Sequence, residues 1–75
     1  MSAVTNISTG ELLVSRIHYR KQKQRLQDRI EITPEGPHKG EIVYNLVGLK
    51  AAVQDNIDKI DKELEKRERE QSDRN

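Results

Sequence analysis

The second half of the chain carries a regular stripe of apolar residues. Its members are Leu46, Leu49, Val53, Ile57, Ile60 and Leu64, which follow one another at steps of three or four. These steps average the period of an α-helix, so the six side chains share one face, opposite a face that is almost wholly charged. The pattern predicts a helix from Leu46 to about Glu70, with Asn45 as its N-cap.

A first helix is predicted near the N-terminus. Ser8 and Glu11 are spaced as in a capping box, in which the serine hydroxyl accepts from the Glu11 amide. An apolar cluster follows at once, so we place this helix from Thr9 or Gly10 to about Asp28. Leu12, Tyr19 and Leu26 are spaced by seven, which is typical of a coiled-coil seam.

Between the two helices the pattern indicates a β-hairpin. Residues 29–33 and 41–44 alternate apolar and polar side chains, as half-buried strands do. Residues 34–40 between them hold both prolines and two of the four glycines, which is typical of a loop. Pro34 also biases Thr33 toward an extended backbone.

The predicted fold class is therefore α+β and mostly α: a helix, a short β-hairpin and a long helix, oligomeric through coiled-coil-like helix packing. We expect a flexible N-terminus over residues 1–8, a single domain over 9–70 and a disordered tail over 71–75. This order of elements resembles that of the small head-completion proteins of lambda-like phages. The likeness is one of architecture, and it implies a small viral or mobile-element protein.

Size and composition favour an oligomer. The chain has 75 residues and no cysteine, so neither a disulfide nor a thiolate metal site can stabilise it. Chains this short usually need such a device or a partner subunit. We expect the interface with further copies to use the stripe Leu46, Leu49, Val53, Ile57, Ile60 and Leu64 together with Leu12, Tyr19 and Leu26. The second copy is expected mainly near Ile57, Ile60 and Leu64.

Charge is unevenly distributed behind a net value of +1. The first helix holds the strongest candidate for a binding surface, a face formed by His18, Lys21, Arg25 and Arg29. One interpretation is a phosphate-tracking face for nucleic acid. The other is a solvated face whose charges pair with the acidic second helix, and no known nucleic-acid-binding motif decides between them.

The loop offers a second candidate. His38 and Lys39 stand among glycines and are suited to holding an anion, although the loop lacks the pattern of a Walker motif. A further hypothesis is therefore an oligomer that captures a phosphorylated small ligand with Lys39 and arginines of the first helix. The other interpretation is an ordinary connection with a solvated lysine.

Nothing in the sequence specifies a catalyst. Neither histidine stands in a nucleophile–base arrangement, and Asp55, Asp58 and Asp61 drift around a helix rather than converge on a metal. We expect no enzyme activity, no metal and no cofactor, and a location in the cytoplasm or, for a phage protein, the virion. The function that the sequence favours is a small oligomeric adaptor, assembly factor or inhibitor that acts by protein–protein contacts.

Overall fold

The protein is a helical hairpin. The computed structural model describes residues 6–73, which form two helices, α1 (Thr9–Ile32) and α2 (Lys39–Asp73). The chain turns within residues 33–38, and α2 returns antiparallel along α1. α2 includes residues 71–73 of the expected tail, whereas residues 1–5 and 74–75 lie outside the described part of the chain.

The predicted β-hairpin is wrong, since residues 6–73 contain no strand. α1 continues through Ile30 and Ile32, and α2 begins seven residues before its predicted start at Leu46. Alternation over four or five residues is also compatible with a helix. A lone two-stranded hairpin is marginal in water, whereas longer helices allow Ile30 and Val43 to extend the contact between α1 and α2.

The ends of α1 follow the local signals of the sequence. The Glu11 amide donates to the Ser8 hydroxyl at 3.2 Å, which confirms the predicted cap. At the other end Thr33 has φ −61° and ψ 121°, the extended backbone that a following proline favours. Its hydroxyl donates to the Arg29 carbonyl at 2.6 Å, which satisfies one of the free carbonyls of the last turn.

The two helices meet along a seam of thirteen residues with alternating steps of three and four. The seam is formed by Leu12, Arg16, Tyr19, Lys23, Leu26 and Ile30 of α1 and by Val43, Leu46, Lys50, Val53, Ile57, Ile60 and Leu64 of α2. All thirteen are buried or half-buried. This is the spacing of the core positions of a coiled coil, so the coiled-coil-like packing occurs between the helices of one chain.

The hairpin forms a single layer. The molecule measures 59 × 21 × 16 Å, so it is two helices wide and one helix thick. Its buried core consists of six aliphatic side chains: Leu12, Leu26, Leu46, Val53, Ile57 and Ile60. Because each helix touches only the other, every apolar side chain away from the seam faces outward.

Candidate functional site

Three basic residues occupy positions in the seam, and each bonds across it. The Arg16 guanidinium lies 3.1 Å from the Asp61 carboxylate. The Lys23 ammonium donates to the side-chain amide oxygen of Gln54 on α2. In the reverse direction, Lys50 of α2 donates to the side-chain amide oxygen of Gln27 on α1.

These cross-helix bonds lie beside a polar groove between α1 and α2. The groove has a volume of about 350 Å³ and is lined by Arg20, Lys23, Gln24, Gln27, Lys50, Gln54, Ile57 and Asp61. The sequence interpretation missed it because Leu49 was assigned to the stripe where Lys50 occupies the seam. The alternating spacing of three and four from Val43 to Leu64 is the signal that identifies Lys50 as a seam position.

The predicted basic face is present on α1. His18, Lys21, Arg25 and Arg29 are all exposed, and Arg29 also lines a groove with Ile42 and Leu46 of α2. None of the four side chains forms an ion pair with a described carboxylate. Among the described basic residues of α1, Arg16 on the seam is the one that pairs with a carboxylate of α2, so the neutralisation by α2 considered for the basic residues does not extend to this face.

The predicted anion loop is arranged differently from expectation. Lys39 belongs to the first turn of α2 and bonds to the carboxylate of Glu35. His38 lies immediately before the helix, with its Nδ1 atom 3.7 Å from a carboxylate oxygen of Glu41. A local carboxylate therefore accompanies each residue that the sequence assigned to anion binding.

Most of the residues predicted for the oligomer interface pack between the two helices of a single chain. Leu12, Leu26, Leu46, Val53, Ile57 and Ile60 are buried between α1 and α2, and Tyr19 and Leu64 are half-buried. Ile57 and Ile60 are only 4 % exposed, so α1 already covers the place where a second copy was expected. Leu49 differs from the rest: it lies on the flank of the stripe and remains 56 % exposed.

Five large apolar side chains are exposed at the end of the hairpin that carries the turn. We call this group the turn-end patch: Ile32, Ile42, Tyr44, Val47 and Leu49. Tyr44 is 80 % exposed, and Ile32 is 76 % exposed. A smaller exposed apolar group, Leu13, Val14 and Ile17, lies at the start of α1. Within the turn-end patch, Tyr44, Val47 and Leu49 line one shallow concavity of α2, and Ile32 and Ile42 line another between the helices.

The described residues offer no metal centre and no membrane-spanning helix. Within residues 6–73 no three histidine, aspartate or glutamate side chains are grouped as metal ligands. Neither α1 nor α2 is long and apolar enough to cross a membrane.

No known protein family, curated protein or solved structure matches this chain. The likeness to phage head-completion proteins depended on the order helix, β-hairpin, helix. Because the β-hairpin is not formed, that likeness carries no further argument.

Proposed function

We propose that the protein is a self-associating helical hairpin that acts through protein–protein contacts and performs no catalysis. The observation that carries the proposal is the turn-end patch, which leaves five large apolar side chains exposed beside a core of only six. Burying such side chains is the main source of stability in a fold of this size. A domain below about 70–80 residues rarely gains more than about 3–5 kcal/mol from its own core.

The occupant that we assign to this patch is a second copy of the same chain. The exposed parts of its five side chains amount to roughly 400 Å² per copy. A standard interface buries about 800 Å² per partner, of which a little over half is apolar. A second copy that covers part of this patch removes from water apolar area that a single chain leaves exposed. A two-fold arrangement brings identical patches together, as in most homodimers.

The experiment is a measurement of molar mass by light scattering during gel filtration. The wild-type chain is expected to elute as a dimer or larger assembly. Leu49→Glu introduces a charge into the turn-end patch and is expected to give a monomer with an unchanged helical circular dichroism spectrum. The unchanged spectrum is expected because Leu49 is already 56 % exposed in one chain.

Val14→Glu is the matched control. Val14 is 53 % exposed, but it belongs to the opposite end of the hairpin, about 20 Å away along α1 and α2. The control is expected to keep the wild-type mass. A wild-type monomer over the whole concentration range, or dissociation by Val14→Glu and not by Leu49→Glu, would contradict the proposal.

Nucleic-acid binding is a second candidate function, favoured by the exposed basic face of α1. We propose that its side chains contact phosphates, because they have no carboxylate partner among the described residues. The Arg25→Ala, Arg29→Ala variant is expected to weaken binding to DNA or RNA and to lower the slope of affinity against salt. Fluorescence anisotropy measures both effects, with Lys62→Ala on α2 as the control. No binding at low salt, or equal weakening by Lys62→Ala, would end this candidate.

A further inference from the structure

The polar groove between α1 and α2 is lined by both cationic side chains and neutral glutamine amides. Lys23 and Lys50 approach from opposite helices, and each donates to a glutamine of the helix opposite. Lys23 and Gln27 are one turn apart on α1, and Lys50 and Gln54 are one turn apart on α2. The two bonds therefore cross the groove in opposite directions. We refer to these four residues as the Lys–Gln quartet.

The amides of the quartet are held in one orientation. The Gln27 Nε2 group donates to Glu31 at 3.2 Å, and the Gln54 Nε2 group donates to Asp58 at 2.9 Å. Each glutamine thus presents its oxygen to a lysine because its nitrogen is bonded to a carboxylate one turn further along its own helix. The positions of the two ammonium groups are defined by these fixed acceptors.

The donors of the groove exceed its acceptors. A lysine ammonium has three N–H donors, and the quartet uses one on each lysine. Arg20 also lines the groove, and its guanidinium has no bond to a described residue. Asp61 is the one carboxylate among the lining residues, and it is already bonded to Arg16. Glu31 and Asp58 lie beyond the amides and do not bond to the lysines.

We propose that this groove binds a phosphate group, either inorganic phosphate or the phosphate of a small monoester. Such an anion has several strong acceptor oxygens, and the cationic donors that line the groove are Lys23, Lys50 and Arg20. Hydrogen bonds between two charged groups are the stronger class. The groove volume of about 350 Å³ lies within the range of small-molecule sites. The groove lies within one chain, so this site is independent of the self-association proposed above.

The test is a titration of the full chain with inorganic phosphate, followed by ¹H–¹⁵N correlation spectra at constant ionic strength. We expect saturable shifts centred on Lys23, Lys50 and Arg20, and none when chloride replaces phosphate. Arg20→Gln is expected to weaken binding about tenfold or more, the loss associated with a hydrogen bond between charged groups. This side chain has no bond within the described hairpin, so its replacement is not expected to disturb folding.

Lys50→Gln is the second variant and is expected to weaken binding by at least as much, with circular dichroism to show that the helices remain. Lys21→Gln is the matched control, because it removes the same charge from the outer face of α1. Equal weakening by Lys21→Gln, shifts that chloride reproduces, or shifts that do not saturate would overturn the site. A single-stranded oligothymidylate is the second probe. Quartet-dependent binding of this oligonucleotide without binding of phosphate would overturn the assignment to a free phosphate group.

Discussion

Replacing Ile57 with alanine tests whether the seam holds the hairpin together. Ile57 is 4 % exposed and belongs to the central cluster with Leu26, Leu46 and Val53. Truncating a fully buried isoleucine to alanine costs about 2–5 kcal/mol, because apolar surface is lost and a cavity remains. The higher helix propensity of alanine offsets a few tenths of a kcal/mol of this loss of stability. We therefore expect Ile57→Ala to lower the free energy of unfolding by about 2–4 kcal/mol.

Ile17→Ala is the matched control for this prediction. The chemical change is the same and also lies within a helix, but Ile17 is 52 % exposed at the start of α1. Since the variant removes little buried surface and gains helix propensity, its stability is expected to stay within about 1 kcal/mol of wild type. Urea unfolding followed by circular dichroism, at one fixed protein concentration, measures both variants.

Two results would refute the reasoning. A loss below about 1 kcal/mol for Ile57→Ala would mean that α1 does not pack on this part of α2. An equal loss for Ile17→Ala would mean that the start of α1 is covered in solution. Repeating the unfolding at several protein concentrations separates the second case, because stability then depends on association.

Three further predictions concern local features. Ser8→Ala removes the acceptor of the Glu11 amide and is expected to cost about 1 kcal/mol in urea unfolding; no loss would mean that the cap is not formed. Gly48→Ala is expected to raise the thermal midpoint, since an added Cβ meets no atom within 4 Å and alanine favours a helix by about 1 kcal/mol; a lower midpoint would indicate that a second chain approaches the helix there. Asp61→Asn is expected to lower the free energy of unfolding by no more than about 1 kcal/mol, and by less in high salt, because the ion pair of Asp61 with Arg16 is partly exposed. A large loss of stability that does not depend on salt would contradict this.

The sequence was sufficient to predict the two helices and most of their buried face. The capping signal at Ser8 and the stripe from Leu46 to Leu64 act locally, since each depends on residues within a turn or two. Both predictions agree with the structure because the apolar side chains that define the stripe are mostly the ones that pack between α1 and α2. The extended backbone at Thr33 was predictable for the same reason.

The middle of the chain was not predictable in the same way. The pattern Ile42, Tyr44 has the spacing of a strand, whereas the helix places the half-buried Val43 in line with the seam positions Leu46 and Lys50. Gly40 and Gly48 disfavour a helix locally, by about 1 kcal/mol each, and the packing of α2 on α1 outweighs that cost. Lys50 was missed as part of the site because the stripe was drawn through Leu49, although the alternating steps of three and four from Val43 to Leu64 pass through Lys50.

The cross-helix bonds of the hairpin join residues whose separation in sequence increases with distance from the turn. Lys50 and Gln27 are separated by 23 residues, Lys23 and Gln54 by 31, and Arg16 and Asp61 by 45. Arg67 closes the far end of the hairpin with bonds to the Thr9 hydroxyl and the Ile7 carbonyl, which lie 58 and 60 residues away. Because closing a longer loop costs more entropy, these bonds can form one after another, beginning beside the turn and ending at the far end of the hairpin. Amide protons near Thr9 should then exchange with solvent faster than those near Leu26, and the hairpin should open from the end at which Arg67 bonds to Thr9 and Ile7.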